Sequence, residues 1–314
     1  MKQQAIINVL RWAVVADALG VPAEMRPRGT YPKIMDMQAS SFWRQPAGSW
    51  SDDTSMTLCL IENLVEAQPG DYSDLMQRFE SYMRYGTNTP QGEIFDIGRT
   101  CAHAIRNFVV NRQAPLLCGD GSPYANGNGA LMRIAPLAIL LQSETDRVKR
   151  FDVARDYTVV THRHARAVVG SYLFLELLHH LLNHKSLKQA LNIVRASCEA
   201  GWLAPVYQNE ISHYQMIFET AFPQTSEKMI KTSGYVVDTL AAAVWVALTQ
   251  STPRQGIITA VNLGGDTDTV ATVAASLLAA GNLQTPVDTQ WWHQTLNHQI
   301  LDNHFETFAK KYGE

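Results

Sequence analysis

Cysteine is scarce in this 314-residue chain and poorly spaced for chemistry. Cys59, Cys101, Cys118 and Cys198 are the only four, far apart and without a CxxC pair. That excludes a zinc-ribbon signature and a disulfide-stapled framework, and leaves buried or idle thiols. An excess of one charge is lacking too: 26 Lys and Arg stand against 29 Asp and Glu, a net charge of −3. The basic residues are scattered, which argues against a dedicated binder of nucleic acid or anionic membrane. No apolar run is long enough to span a bilayer. The opening MKQQAIINVLRWAVVADALG is interrupted by Arg11 and Asp17 and does not read as a signal peptide, so the expected compartment is the reducing cytoplasm. Alternating strand-like runs are few, and no Pro/Ser-rich linker, repeat or low-complexity tract divides the chain.

What the chain has in quantity is helical periodicity. Ile6, Val9, Leu10, Ala13, Val14 and Ala18 form one stripe of a first helix. Leu58, Ile61 and Val65 continue the pattern in a second, which Pro69-Gly70 stops. Further helical patterns cover 72–85, 98–109, 129–141, 164–183, 186–198, 208–220, 235–249, 255–262, 268–280 and 288–302. The expected fold is all-α, a single compact multi-helix domain over residues 1–314, with function where loops meet helix ends.

Two of those helix starts are loaded. Ser51-Asp52-Asp53-Thr54 precedes one apolar run, and Gly264-Gly265-Asp266-Thr267-Asp268-Thr269 precedes another. Capping explains one or two such residues at each start, since a side-chain oxygen and an acid both suit free N–H groups. It leaves the rest of the acid unexplained. Asp52, Asp53, Asp266 and Asp268, with Ser51 and Thr269 beside them, are hard oxygen donors that suit Mg²⁺ or Mn²⁺ rather than zinc. Two ions sharing a carboxylate would account for so much acid. The loop Asn126-Gly127-Asn128-Gly129 runs towards the apolar MRIAPLAILL, and free N–H groups at a helix start make a cradle for a diphosphate. Runs of Asn and Gly are also common in plain turns. Asp96, between Phe95 and Ile97, has two readings: a desolvated acid–base group, or a cap for the helix after Gly98. Glu24 lies in the loop GVPAEM, and His162 and His164 split across a helix start.

Taken in order, ADALGVPAE, SWSDDTSM, FDIGRT, NGNGALMRIAPLA, THRHARA, SGYVVDTLAAAVW and NLGGDTDTVATVAA resemble the ADP-ribosylglycohydrolase family over most of the chain. FDIG and SGYVV resemble its bacterial branch, that of the dinitrogenase reductase-activating glycohydrolase. The resemblance implies an all-α fold with two divalent cations, Mg²⁺ or Mn²⁺, at the bottom of an ADP-ribose cleft. It implies Ser51, Asp52, Asp53, Asp266, Asp268 and Thr269 as metal ligands, and Asn126 to Gly129 as the diphosphate loop. His162, Tyr235, Gly264 and Gly265 would line the nucleotide and ribose pockets. Asp96 would act at the scissile bond, Asp52 or Asp53 would place or deprotonate a water, and Glu24 would close over the metals.

The implied activity is removal of ADP-ribose from protein arginine, with an ADP-ribosylated protein as partner and a link to an ADP-ribosyltransferase or toxin. Three alternatives go with it: O-linked ADP-ribose on serine or acetate, base-linked ADP-ribose, and an ADP-ribose-binding immunity protein. Ala16 stands where the family has Gly, and Ser51 where Thr is commoner; the second keeps its hydroxyl.

Overall fold

A computed structural model describes residues 1–314. Apolar stripes at helical spacing fold into α1 (Gln3–Gly20), α2 (Asp52–Glu66), α3 (Tyr72–Tyr85), α4 (Arg99–Val109) and α5 (Ala135–Leu140). There follow α6 (Arg147–Val159), α7 (Ala165–Leu182), α8 (Leu187–Glu199), α9 (Pro205–Gln208), α10 (Val236–Thr249) and α11 (Pro253–Val261). The last three are α12 (Thr267–Gly281), α13 (Thr289–Gln294) and α14 (His298–Tyr312). Short 3-10 turns fill several connections, and β pairing is limited to isolated bridges such as Arg26–Gly265 and Gly127–Tyr235.

α12 is the axis of the molecule. Every residue from Thr267 to Ala280 is buried, as expected of a helix apolar on all sides. Its run of Ala, Thr and Ser lets neighbours come close, and α1, α11 and α10 pack against it most extensively. One continuous cluster of 90 buried residues joins all parts of the chain, so the fold is a single compact domain. No helix is long and apolar enough to cross a membrane.

The helical expectations hold for most stretches, and four differ. α6 was not legible as a helix, because its inward face carries Arg150, whose charge is neutralised by Glu176 of α7 at 2.5 and 2.8 Å. The stretch 129–141 is broken: a 3-10 turn, Leu131–Arg133, precedes the six-residue α5. Residues 209–218 are wound as 3-10 rather than α-helix. The stretch 288–302 splits at Asn297, which takes a left-handed φ of 53°. There the 46–50 loop packs in: the Leu296 N–H donates to the Gly48 carbonyl, and the Trp50 indole to the Leu296 carbonyl.

Candidate active site

Three helix ends converge on one point. The last turn of α1 meets the first turn of α12, where the Thr267 hydroxyl donates to the Gly20 carbonyl at 2.8 Å. Gly20 permits this approach, since a Cβ there would lie 2.3 Å from the Asp268 Cα. The start of α2 is tied to α1 by Asp17, whose carboxylate accepts from the N–H groups of Ser51 and Thr54 and from the Thr54 hydroxyl. Burial pushes the Asp17 carboxyl up to about 6 in spite of those bonds.

Capping absorbs little of the acid at these starts. Ser51 caps α2, its Oγ accepting from the Asp53 N–H at 3.3 Å. Asp266 occupies the N-cap position of α12 without a side-chain capping bond. Asp52 Oδ2 accepts from the Gly98 N–H, and Asp53 Oδ2 from the hydroxyls of Thr269 and Ser51. Asp53 Oδ1 is buried with no partner at all. Asp96 caps nothing: Gly98 is the N-cap of α4, and the Asp96 carbonyl accepts from the Tyr82 hydroxyl.

Glu24, Asp52, Asp96, Asp266, Asp268 and Thr269 line a single cavity of about 460 Å³, a size that suits a small ligand. One oxygen each from Glu24, Asp96 and Asp268 lies within 4.8 Å of the others. Ser51 and Asp53 are buried and lie outside the cavity lining. The one Lys or Arg that lines the cavity is Arg99, which is exposed. Burial, and then the charges of Asp96 and Asp266, push the Glu24 carboxyl up to about 8. Burial, joined by the neighbouring carboxylates, also raises Asp52, Asp53 and Asp268 well above the ordinary range. Asp96 rises too, chiefly through burial. So many acids without an internal cation fit a site for hard divalent cations, whose charge lets them all ionise. The unpartnered Asp53 Oδ1 fits the same description.

The 126–129 loop lines the same cavity and differs from the expected helix-start cradle. α5 begins only at Ala135, and the Asn128 N–H is already given to the Gly234 carbonyl. The N–H groups of Gly127 and Gly129 remain without a backbone acceptor, and Asn126 Oδ1 is buried without a partner. Asn128 joins wall to acid: its amide donates to Asp266 Oδ2 and the Thr239 hydroxyl, both at 2.9 Å. His162 packs behind the glycines, since a Cβ on Gly129 would lie 3.1 Å from its Cε1. Burial and then Arg133 hold His162 down to about 3, so the ring is neutral. Arg133 donates to the Thr161 hydroxyl, whose oxygen also lies in hydrogen-bond contact with His162 Nδ1 at 2.9 Å.

Tyr235 lines the cavity, its hydroxyl fixed by Arg166 at 3.0 Å. Gly264 and Gly265 do not line it. Their φ angles of 73° and 75° let the backbone press against Arg28 and Thr232, and Gly265 pairs with Arg26 just beyond Glu24.

Sequence reasoning missed Asp17, Arg133 and Trp43. Asp17 carries a legible signal, an acid on the apolar stripe of α1 beside Ala13, Val14 and Ala18. Trp43, whose indole donates to Glu24 Oε2 at 2.6 Å, carries none.

Comparison with known proteins agrees with this geometry. The sequence model for ADP-ribosylglycohydrolase matches residues 3–313. An ADP-ribosylarginine hydrolase Tri1 from Pseudomonas putida is 31% identical over 266 residues, covering 85% of this chain and 67% of that protein. An ADP-ribosyl-[dinitrogen reductase] glycohydrolase from Rhodospirillum rubrum is 25% identical, over 85% of this chain and 81% of its own. A solved structure described as an ADP-ribosylglycohydrolase-related protein complex superposes with a TM-score of 0.80 at 28% identity, covering 98% of each chain. The all-α architecture, the acidic helix starts and the match along the whole length place this chain in the ADP-ribosylglycohydrolase family.

Proposed function

We propose that this hydrolase cleaves the N-glycosidic bond between ADP-ribose and a protein arginine, with Mg²⁺ or Mn²⁺ held by its acidic cluster. The observation that carries the reading is one cavity lined both by carboxylates of four chain regions and by the Asn126–Gly129 loop. The names of the relatives from P. putida and R. rubrum support an ADP-ribosyl substrate, and the first supports arginine.

Asp52, Asp53, Asp266 and Asp268, with Ser51 and Thr269, are the residues that would hold the cations. The chemistry that divalent cations bound there would supply is Lewis-acid polarisation of the sugar and of a water. The Gly127 and Gly129 N–H groups bind the diphosphate, and the neutral ring of His162 lies beside them. Tyr235 flanks the nucleotide. Positive charge grows on the anomeric carbon as the bond breaks, and the surrounding carboxylates stabilise it. Water adds its hydroxyl to that carbon, and its proton ends on the departing guanidine nitrogen. Asp96, which faces Glu24 and Asp268, is the side chain that relays that proton.

The test is release of ADP-ribose from matched arginine- and serine-linked peptides, with EDTA, Mg²⁺ or Mn²⁺. Release from arginine that depends on the metal, and is lost in Asp53→Ala and in Asp268→Ala, is expected. Full release by both variants with unchanged metal content ends the proposal; preference for the serine peptide moves it to the O-linked bond.

A further inference from the structure

The turn that carries Trp43 belongs to none of the site's motifs, yet it touches both acidic loops. The Trp43 indole N–H donates to Glu24 Oε2 at 2.6 Å. Its ring lies 5.8 Å from that of Phe95, the residue before Asp96, and Phe42 packs edge-on against it at 4.9 Å. The turn is held on several sides. Ser40 and Gln45 exchange backbone hydrogen bonds at 2.9 and 3.0 Å, and the Trp43 N–H donates to Ser40 Oγ at 3.2 Å. Gln91 donates to Gln45 Oε1 at 2.6 Å, which ties the turn to the segment leading into Asp96. On the Glu24 side, Met25 adopts a left-handed φ of 61° and gives its N–H to the Gly265 carbonyl at 2.9 Å. The backbone beside Glu24 is thus fixed from Gly265, and its carboxylate from Trp43.

The chemistry of the donor matters. Lys or Arg at this place would neutralise the cluster itself and compete with a divalent cation. An indole N–H is neutral and directional: it takes one oxygen and leaves the acid's charge to the cluster. We infer that Trp43 is a positioning residue, which sets the Glu24 carboxylate beside Asp96 and Asp268 so that Glu24 faces the same cation as Asp268. This rests on the reading that the acidic cluster binds divalent metal, and it adds Trp43, as the holder of Glu24, to the residues that govern metal affinity.

The experiment is Mn²⁺ titration of the metal-stripped full-length protein, as wild type, Trp43→Phe, Glu24→Gln and the double variant. Phe keeps a ring on Phe95 and removes only the donor; near-unchanged melting of this half-exposed position verifies that the fold is kept. Losing a neighbour that orients a metal-facing carboxylate weakens affinity by about tenfold in Trp43→Phe. Because Trp43 acts through Glu24, the same change costs nothing further in the Glu24→Gln background. A purely structural tryptophan would lose the same factor in both backgrounds, and that result overturns the inference. So does wild-type affinity in Trp43→Phe, or a wild type that binds no Mn²⁺. The titration needs no turnover. A wild type that binds Mn²⁺ but releases no ADP-ribose therefore sinks the arginine-hydrolase reading alone.

Discussion

Gly20→Ala tests whether the close crossing of α1 and α12 is what builds the acidic cluster. The new Cβ would lie 2.3 Å from the Asp268 Cα, 2.5 Å from its N and 2.8 Å from the Thr267 carbonyl carbon. These are backbone atoms, so no rotamer change relieves the contact. Carbon pairs sit comfortably at about 3.5–4 Å, so the start of α12 has to withdraw by about 1 Å. The Thr267–Gly20 bond lengthens with it, and Asp268 and Thr269 move away from Asp53. Overpacking of this kind costs about 2 kcal/mol. Spread over the unfolding entropy of a chain this long, that lowers Tm by about 3 °C. The functional loss is larger, because a binding constellation tolerates only about 0.5 Å of misplacement; Mn²⁺ affinity falls by about tenfold or more. Calorimetry and Mn²⁺ titration of Gly20→Ala should be run beside Gly281→Ala at the other end of α12. There the added Cβ meets only Leu181 Cδ2 at an ordinary 3.5 Å, so both properties stay at wild type. Wild-type Tm and affinity in Gly20→Ala would refute the reasoning.

Asp17→Ala leaves the buried N–H groups of Ser51 and Thr54 without their acceptor, and stability drops by about 3–5 kcal/mol in denaturant melts, with metal binding lost alongside. Asn128→Ala removes the bond to Asp266 Oδ2; kcat/KM for ADP-ribose release falls by about tenfold or more, with a much smaller effect on Tm. His304 of α14 is held above its ordinary 6.5 by the hydrogen bond from its ring to Glu62 at 2.9 Å. The folded state therefore binds that proton more tightly than the unfolded one. Its stabilisation is whole below pH 6.5 and fades as pH rises through the raised value. His304→Gln accordingly loses about 1 kcal/mol in melts at pH 5.5 and nothing at pH 9, whereas equal losses at both would contradict the assignment.

The acidic helix starts were legible because each is local: a hydroxyl, two carboxylates and an apolar run fit within a dozen residues. That capping could not use all the acid was also readable, and the free Asp53 Oδ1 and the uncapping Asp266 agree with it. What a local pattern cannot carry is its distant partner. Arg150 made α6 look polar until Glu176 of α7 is set beside it. The break at Asn297 depends on the 46–50 loop, some 250 residues earlier, wedging against Leu296. The 126–129 loop read as a helix start because an apolar run follows it. Pairing with Gly234 and Tyr235 takes part of its backbone before any ligand can. Trp43 was invisible for the same reason, since the one polar contact of its side chain is with a loop 19 residues away.

The most direct measurement is anomalous diffraction from crystals of the protein soaked in Mn²⁺. The account predicts manganese peaks within direct coordination distance of carboxylate oxygens from both α2 and α12, Asp53 and Asp268 foremost, at the foot of the cavity walled by Asn126–Gly129. Manganese confined to surface carboxylates, with none bound to those two helix starts, would contradict it.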